Sequence, residues 1–472
     1  MKKFYVTNSI AYINAEPHIG YGQEILATDV VARYHRDVLK DDTFFLTGAD
    51  EHGFSVQMNA VKAKMEPKKF VDKLIEKYLD LKVQLNLTYD YFIRTTSEEH
   101  KKNAREIWSK ALENGYIYKK FYSGVYCVGC EMMKNKSELV NERCPNHPNL
   151  IPEIVEEENW FFKLAAFQEK LEKLYKDNPT FVQPDFRFNE VKSLLKSGLE
   201  DVSISRPKEK LNWGIEVPND PMHVMYVWFD ALTNYLYPKK YWPADLHIIG
   251  KDILRFHAAL WPAMLMAAGY ENDQLPKKIY VHGFISVDGQ KMSKTLGNVV
   301  KASDMIERYG KEATRYLLLK ELSFDKDGDF SWERMTQTYN ADLANDLGNL
   351  LQRTLTMINK YRVNIKPKGD YEDIELVGIV NMAIEEMDFV LALTKINAIV
   401  QWLNKLIENN KPWDLAEKNP KKCAEILNII HNYMRVISKC LIPFMPETSK
   451  EINRQLESLE PKPLFLRIGG KG

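Results

Sequence analysis

Two lysines flank a methionine and a serine in a small, turn-prone segment of the chain. The segment is Lys291, Met292, Ser293 and Lys294, and it follows an Asp-Gly-Gln triplet. A lysine carries a compact positive charge on a flexible stem. Two lysines three positions apart can therefore follow a polyphosphate whose charge migrates during a reaction. Taken alone, the pattern is equally typical of a solvated basic loop.

Alternating β-like and helical patterns near the N-terminus predict a βαβ unit. Residues 4–6 form an apolar run typical of a buried strand, residues 25–38 carry apolar side chains at helical spacing, and residues 43–47 are again β-rich. The strands of such a unit are parallel, and ligands bind beyond their carboxyl ends. The sequence therefore predicts a parallel-sheet α/β domain with a ligand site at that edge.

A histidine, two glycines and an aspartate fall at this predicted edge. His18, Gly20 and Gly22 precede the helix, and Asp50 follows the second strand. The glycines allow the helix N-terminus to approach a nucleotide closely, and the positive end of the helix dipole suits phosphate. In combination with the lysine pair, these residues indicate a nucleotide-binding site.

The two motifs resemble the HIGH and KMSKS signatures of class I aminoacyl-tRNA synthetases, and the chain from residue 4 to its C-terminal helices resembles the methionyl-tRNA synthetases. The resemblance implies that His18, Lys291 and Lys294 are catalytic. It implies ATP contacts from these residues: His18, Gly20, Tyr21, Lys291, Met292, Ser293 and Lys294. Tyr21 departs from the family pattern because it stands where a second histidine is expected. One imidazole near the triphosphate is therefore missing.

A methionine pocket is the second feature that the resemblance implies. Methionine is apolar and polarisable, so a selective pocket needs aromatic walls and one polar anchor for the ammonium group. Residues 226–231 and 251–257 supply aromatic and apolar side chains and match family motifs. The implied contacts are Ile10, Tyr12, Asp50, Trp228, Ala231, Tyr235, Ile253 and His257. Asp50 would hold the ammonium group, and Arg206 matches a family position near the active site.

Three cysteines and a histidine form a metal-ligand pattern. Two residues separate Cys127 from Cys130, two separate Cys144 from His147, and thirteen lie between the pairs. Three thiolates and one imidazole make a closed tetrahedral zinc set. Because four protein ligands leave no open position for water, the pattern predicts a structural zinc and not a catalytic one. It resembles the single zinc knuckle of one methionyl-tRNA synthetase subgroup.

Three side chains in the helical part of the sequence suit unpaired RNA bases. Asn349 and Arg353 stand four residues apart and share one helix face, and Trp413 follows Pro412. An amide and a guanidinium can contact base edges, and an exposed tryptophan can stack on a base. Without the family, these residues read as an ordinary polar pair and a tryptophan packed in a loop. The resemblance assigns all three to the CAU anticodon.

The predicted architecture is an α/β Rossmann-type catalytic domain with a parallel sheet, split by a zinc-binding connective insertion and followed by an α-helical bundle that binds the anticodon. After the insertion the strand pattern resumes at residues 222–228 and continues at 246–250 and 279–283. The predicted boundaries are 1–115 and 218–290 for the two catalytic halves, 116–217 for the insertion, 291–345 for the KMSKS loop and stem-contact region, and 346–472 for the anticodon-binding domain.

The composition is that of a soluble globular protein. The 472 residues are 45% apolar and 28% charged, and their formal net charge is zero, which does not by itself suggest a nucleic-acid partner. Only five cysteines occur, and neither a signal peptide nor a membrane-length apolar run is apparent. We expect a cytoplasmic protein without a membrane span. No appended β-barrel module follows the helices, so we also expect a monomer.

The resemblance implies a methionine–tRNA ligase that uses ATP with Mg²⁺, carries one structural Zn²⁺, and charges initiator and elongator tRNA(Met). The valine, leucine and isoleucine enzymes insert a much larger editing domain, for which residues 116–217 leave no room. A cysteine-specific enzyme would use zinc inside its catalytic site. The alternative from another class is a non-catalytic tRNA-binding paralogue. Tyr21 favours that alternative, whereas the lysine pair, Asp50 and the aromatic pocket argue against it.

Overall fold

The computed structural model describes residues 1–127, 132–134, 139–145, 149–292, 297–366 and 373–469. Its N-terminal part contains the predicted βαβ unit. The strands are β1 (Lys3–Asn8), β2 (Ala11–Tyr12), β3 (Asp42–Asp50) and β4 (Tyr91–Arg94). The helices are α1 (Ile19–Arg33), α2 (Phe54–Lys62), α3 (Pro67–Gln84) and α4 (Glu98–Glu113).

The connection to the second catalytic half is rich in antiparallel strands. Its strands are β5 (Ile117–Cys127), β6 (Met132–Lys134), β7 (Glu153–Phe162), β8 (Val182–Gln183), β9 (Val202–Ser203), β10 (Ser205–Pro207) and β11 (Glu216–Val217). Its helices are α5 (Gln168–Asp177) and α6 (Asp185–Lys196). The β6, β5, β7 and β9 strands form one antiparallel sheet in that order.

The second half returns the chain to the parallel sheet and ends in a small sheet beside the lysine loop. Its strands are β12 (Asp220–Met225), β13 (Leu246–Gly250), β14 (Ile279–His282), β15 (Ile285–Val287), β16 (Gln290–Lys291) and β17 (Gly328–Phe330). Its helices are α7 (Val227–Ala231), α8 (Trp261–Ala267), α9 (Ala302–Tyr309), α10 (Lys311–Lys320) and α11 (Trp332–Thr338).

The C-terminal part is a helix bundle, as the apolar periodicity predicts. Its helices are α12 (Asn349–Lys360), α13 (Ile374–Glu385), α14 (Phe389–Asn410), α15 (Pro412–Lys418), α16 (Pro420–Leu441) and α17 (Pro446–Ser458). Ile396, Val400 and Leu403 form a buried stripe on α14. The predicted fold class, a parallel-sheet α/β domain followed by helices, is confirmed. Within the described ranges, no helix is both long and apolar enough to cross a membrane.

The seven-stranded central sheet is parallel throughout. The β4 and β2 strands both pair with β3, and the order continues as β3, β1, β13, β14 and β8. The β1 strand therefore lies between β3, from the first half of the chain, and β13, from the second. Adjacent strands whose connections leave in opposite directions create a crevice at their carboxyl ends.

Two strands differ from the sequence-based expectation. The prediction that residues 222–228 continue the parallel sheet is wrong, because β12 runs antiparallel to β10 and β11 in a separate sheet. Conversely, β8 lies inside the predicted insertion but pairs with β14 as an edge strand of the parallel sheet. A β-rich pattern predicts a strand without naming its partner, and the partner decides the sheet. The domain boundaries themselves stay predictions.

A fully buried arginine joins the first catalytic helix to the helical bundle. Arg315 of α10 lies 2.8 Å from the carboxylate of Asp29 on α1. Its guanidinium also donates to the carbonyl oxygens of Pro443 and Phe444, between α16 and α17, at 2.9 and 2.7 Å. A buried charge is tolerated only when its partners satisfy it. Arg315 therefore fixes α1 relative to the bundle.

Replacing Arg315 with methionine should destabilise the fold strongly, because Asp29 would keep its buried charge and lose one of its cationic partners. We expect a loss of about 3–5 kcal/mol in the free energy of urea unfolding, the range for breaking a buried ion pair. Lys311→Met is the control, since Lys311 is on the same helix and forms a partly exposed pair with Glu447 of α17 at 3.3 Å. That variant should lose about 0–1 kcal/mol. Equal losses in the two variants would contradict the assignment.

Candidate active site

A cleft of about 620 Å³ opens at the carboxyl ends of β1, β3, β13 and β14. All the described residues that the sequence analysis assigned to ATP line it, namely His18, Gly20, Tyr21, Lys291 and Met292. The whole predicted methionine set lines it too, namely Ile10, Tyr12, Asp50, Trp228, Ala231, Tyr235, Ile253 and His257. Ser293 and Lys294 lie outside the described residues. Segments from both halves of the chain thus meet in one cavity.

His18 is the N-cap residue of α1, and its orientation follows from that role. Its Nδ1 accepts a hydrogen bond from the Gly20 backbone N–H at 3.0 Å. An acceptor at Nδ1 leaves the ring proton on Nε2, where it can be donated into the cleft. Desolvation within the cleft lowers the pKa of His18 and outweighs a smaller opposing effect of Glu24, which favours the neutral imidazole. A Cβ atom at Gly20 would lie 2.8 Å from His18 Cε1, which explains the glycine.

Backbone contacts fix Val300 and Lys301, which follow the lysine segment, to the start of α1. The Ile19 N–H donates to the Val300 carbonyl at 2.9 Å, and His18 pairs with Lys301 in an antiparallel bridge. At the base of the loop, the Asn298 side chain donates to the carbonyl of Lys291 at 3.2 Å. Residues 291–292 and 297–301, which lie before and after residues 293–296, are therefore held close to the first helical turn.

A tight hairpin leads into Lys291. Asp288 and Gly289 connect β15 to β16 and have φ angles of 50° and 73°. Two positive φ angles in a two-residue connection suit the twist of a β-hairpin, and an Asp-Gly pair tolerates them. Asp329 on β17 accepts hydrogen bonds from the Ser286 hydroxyl at 2.6 Å and the Gly289 N–H at 2.7 Å. No local pattern in the sequence indicates this role of Asp329, because it lies forty residues from the hairpin that it anchors.

Tyr21, the departure from the family motif, lines the cleft but is held by the sheet. Its hydroxyl lies 3.3 Å from the Thr47 hydroxyl, and its ring packs edge-on against Tyr78. Burial raises the pKa of Tyr21, so the phenol stays protonated. The side chain is thus a neutral wall of the cleft.

The predicted methionine pocket contains a defined hydrogen-bonded pair. The Nδ1 of His257 lies 3.0 Å from the Ile253 carbonyl, and its Nε2 lies 2.8 Å from the Tyr235 hydroxyl. A carbonyl can only accept, so the ring proton sits on Nδ1 and the Tyr235 hydroxyl donates to Nε2. Burial lowers the pKa of His257 to about 4. The pocket therefore presents neutral polar groups at physiological pH.

An aromatic wall and an acidic strand end complete this pocket. The rings of Trp228 and Phe256 stack at 4.0 Å, and Trp228 stands edge-on to His257. Asp50 ends β3 and is 8% exposed. An apolar wall opposite a carboxylate suits a ligand with an apolar side chain and an ammonium group. Phe256 lines the cleft and lies within a segment that the sequence analysis singled out, but it was not assigned a role.

Further ionisable groups line the cleft and were not predicted, among them Glu24, Asp252 and His282. Glu24 lies 2.9 Å from His282 Nε2, while His282 Nδ1 faces the Gly283 carbonyl at 2.7 Å. Burial opposes protonation of His282, but Glu24 outweighs it and raises the pKa of the imidazole. Burial raises the pKa of the Asp252 carboxyl. No local spacing rule relates these residues, which come from α1 and from two later strand ends.

Arg206, which the resemblance put near the active site, is buried beside it and is not among the residues that line the cleft. Its guanidinium lies over the rings of Tyr126 and Tyr226, and it donates to the Ser203 hydroxyl at 2.9 Å. Its contacts within the described residues are those of a packing residue.

Two of the four predicted zinc ligands lie within the described residues. Cys127 ends β5 and is 1% exposed, and Cys144 is fully buried. Cys130 and His147 lie outside them. Among the described residues alone, no cluster of three or more His, Cys, Asp or Glu forms a metal site. Two buried thiols in an insertion of antiparallel strands suit the sulfur-rich donor set that zinc prefers.

The three predicted anticodon residues lie on the helix bundle. Asn349 is exposed at the start of α12, and Arg353 follows one turn later, half-buried. Trp413 on α15 is 42% exposed. Both α12 and α15 pack against α16, so the three side chains belong to one compact unit.

Comparison with known proteins gives the same family along the whole chain. The family model "tRNA synthetases class I (M)" matches residues 4–150 and 148–355, and "Anticodon-binding domain of tRNA ligase" matches residues 370–466. The methionine–tRNA ligase of Thermotoga maritima is 41% identical over 98% of this chain and 76% of its own length. That of Rickettsia conorii is 39% identical over 98% of this chain and 95% of its own.

A solved structure agrees with these sequence relatives. Mycobacterium tuberculosis methionyl-tRNA synthetase in complex with methionyl-adenylate superposes with a TM-score of 0.89 at 37% identity, and the match covers 100% of this chain and 99% of that one. Both family motifs, the sheet that carries them and the helix bundle that follows therefore have counterparts in one family, and the chain belongs to the class I methionyl-tRNA synthetases.

Proposed function

We propose that this protein activates methionine with ATP and transfers the methionyl group to the 3′-terminal adenosine of tRNA(Met), both initiator and elongator. The observation that carries the proposal is the single cleft, which both predicted ATP segments and the complete predicted methionine set line. An ATP end and an amino-acid end in one cavity is the arrangement that adenylation requires, because the two substrates react with each other.

In the first step, the methionine carboxylate attacks the α-phosphorus of ATP in line and pyrophosphate leaves. The protein has little covalent chemistry to do, so catalysis rests on positioning and on charge stabilisation. His18 would donate from Nε2 to the phosphates, and Lys291 and Lys294 would stabilise charge on the departing pyrophosphate. Mg²⁺, bound with ATP, would neutralise part of the triphosphate charge. In the second step, the terminal adenosine hydroxyl attacks the carbonyl carbon of the mixed anhydride, the bond from that carbon to the phosphate oxygen breaks, and AMP leaves.

Recognition of methionine would divide between a charged end and a neutral end of the pocket. Asp50 would bind the α-ammonium group. Trp228 would pack against the side chain, while Tyr235 and neutral His257 would face the thioether, which is a weak acceptor. Neutral groups suit this end because a charged group would lose its water when the thioether binds, and the uncharged ligand could not compensate for that loss.

Methionine-dependent exchange of pyrophosphate into ATP tests the function directly. Lys291→Ala should lower kcat of exchange about 10²–10³-fold, the usual effect of removing one donor that stabilises transition-state charge, and leave the KM for methionine nearly unchanged. Lys326→Ala is the control, since that lysine is exposed and does not line the cleft. Absence of exchange in the unmodified protein would reject the proposed function. Equal rates in the two variants would overturn only the role of Lys291.

We also propose that Cys127, Cys130, Cys144 and His147 hold one structural Zn²⁺. Support comes from the burial of Cys127 and Cys144 and from a donor set that suits zinc. The ion would cross-link the strands of the insertion and would take no part in adenylation. Such sites contribute folding energy because the unfolded chain has no preformed ligand set.

Metal analysis of the purified protein should give about one zinc per chain, and Cys144→Ala should lose it and unfold the insertion, because three remaining ligands leave the site open. Cys423→Ala is the control, since Cys423 is equally buried but lies in the helix bundle. Limited proteolysis of the insertion provides a second measurement. Zinc retained by the Cys144→Ala variant would contradict the proposed site. Absence of zinc from the unmodified protein would contradict it as well.

Anticodon binding is proposed for Asn349, Arg353 and Trp413. Trp413→Ala should raise the KM for tRNA about 5–150-fold, corresponding to the loss of one base–aromatic stack of about 1–3 kcal/mol, without changing methionine activation. Trp402→Ala is a closely matched control, because Trp402 is also 42% exposed but lies on α14. A similar rise in both variants would show that general loss of surface, and not stacking by Trp413, is responsible.

The protein is further proposed to act as a monomer in the cytoplasm. Support for a reducing compartment comes from Cys423 and Cys440 of the helix bundle, which are buried free thiols.

A further inference from the structure

A buried carboxylate between two histidines lies behind the methionine end of the cleft and has no part in the mechanism above. Asp230 is fully buried, with Oδ2 2.7 Å from His52 Nδ1 and Oδ1 2.5 Å from His100 Nε2. Both histidines are buried as well. Asp230 is not among the residues that line the cleft, so it acts through its neighbours and not on the substrate.

The three residues come from both sides of the insertion. His52 follows Asp50 by two residues at the end of β3, and His100 lies on α4. Asp230 lies on α7 between Trp228 and Ala231, both of which line the cleft. The hydrogen bonds of Asp230 therefore connect the segment that carries the proposed ammonium anchor to the segment that carries the apolar wall.

The segment beyond Asp50 is itself firmly held. The Glu51 carboxylate lies 2.5 Å from Arg94 Nε, and the backbone carbonyl of Glu51 accepts a hydrogen bond from Trp213 Nε1 at 2.5 Å. His52 also packs edge-on against Trp213. Because Glu51 is held on both its side chain and its backbone, a shift of His52 is expected to shift the end of β3 as well.

The α7 helix, in contrast, is too short to define its own position. It has five residues, and a helix of that length is not stable by itself. Local bonds continue it into the turn that carries Tyr235: the Thr233 hydroxyl donates to the Asp230 carbonyl at 2.7 Å, and the Asn234 side chain donates to the Ala231 carbonyl at 2.7 Å. These bonds fix the shape of the segment, and the Asp230 side chain fixes where that segment sits relative to β3.

The charge on Asp230 makes this connection strong and directional. Burial disfavours the ionised carboxyl, but the two histidines outweigh it and lower the pKa of Asp230 to about 2. An ionised carboxylate only accepts, so each histidine must present an N–H: Nδ1 of His52 and Nε2 of His100. Hydrogen bonds to a charged acceptor are roughly twice as strong as those between neutral groups.

We propose that Asp230 is a positioning residue that sets the span of the amino-acid pocket, from the ammonium anchor Asp50 to the wall formed by Trp228 and Tyr235. A pocket of fixed span discriminates against side chains that are one methylene longer or shorter. Apolar pockets achieve about 10–200-fold discrimination per methylene when the walls hold their place. The inference rests on the proposed function and adds a residue that determines its specificity.

The test compares methionine with its S-ethyl homologue, ethionine, in ATP–pyrophosphate exchange. Asp230→Asn keeps the shape but removes the charge: its amide oxygen still accepts from one histidine, and its NH₂ can bond to the other only if that imidazole changes tautomer, so the charge-assisted bonds become weaker neutral ones. We expect the KM for methionine to rise about tenfold and discrimination against ethionine to fall by a similar factor. The KM for ATP and kcat at saturating methionine should change much less, which general loss of folded protein would not produce.

Asp245→Asn is the matched control. Asp245 also connects the two halves, since its carboxylate accepts from the Tyr5 N–H at 2.7 Å, but it lies at the opposite end of β13 from the cleft. Its substitution should lower thermal stability and leave both the KM for methionine and the discrimination unchanged.

A second pair of variants keeps the inference testable if Asp230→Asn does not fold. The Asn side chain places its Nδ2 where histidine has Nδ1, so His52→Asn retains the donor to Asp230, whereas His52→Ala removes it. His52→Ala should reproduce the loss of discrimination, and His52→Asn should restore most of it. Equal behaviour of these two variants, or of Asp230→Asn and Asp245→Asn, would overturn the inference. Absence of methionine-dependent exchange in the unmodified protein would instead reject the proposed function.

Discussion

The position of β1 between β3 and β13 is the constraint on which the site depends. The two neighbours belong to halves of the chain that the insertion separates, and their parallel register brings all three carboxyl ends to one edge. Whatever follows these strands must meet there. His18 follows β1, Asp50 ends β3, and His257 follows β13, so a single sheet order places the ATP motif and both ends of the methionine pocket around one cleft.

Buried charges hold the elements that this sheet order brings together. Arg315 joins α1 to the helix bundle through Asp29, and Asp230 joins α7 to the end of β3 through His52. Such pairs add little net stability compared with apolar packing, because desolvation offsets much of the attraction. They do specify geometry, since an unsatisfied partner is costly in any alternative arrangement. The walls of the cleft come from distant segments of the chain, so the relative positions of those segments must be fixed. Buried charge pairs fix these positions even where they add little stability.

The histidines of the cleft differ in charge because their partners differ. His18 and His257 each have a backbone partner that fixes the tautomer, and desolvation lowers the pKa of both, which favours the neutral ring. His282 faces the carboxylate of Glu24, which favours the protonated ring despite burial. One cavity thus offers a neutral donor at its predicted phosphate end, neutral polar groups at its thioether end, and a charged pair between the strand ends. The chemistry of each imidazole is set by its immediate neighbours.

The sequence by itself determined the βαβ unit, the helical C-terminal part, the family resemblance and the cleft residues that belong to the family motifs, because hydrophobic periodicity and short motifs are local signals. It did not determine which sheet a strand joins: residues 220–225 and 182–183 both formed strands in unexpected places. Nor did it reveal Asp329, Glu24 or Asp230, whose partners lie tens to hundreds of residues away. Only the tertiary structure decided these contacts, because a hydrogen bond depends on distance in space, and no local pattern encodes which distant residue will supply the partner.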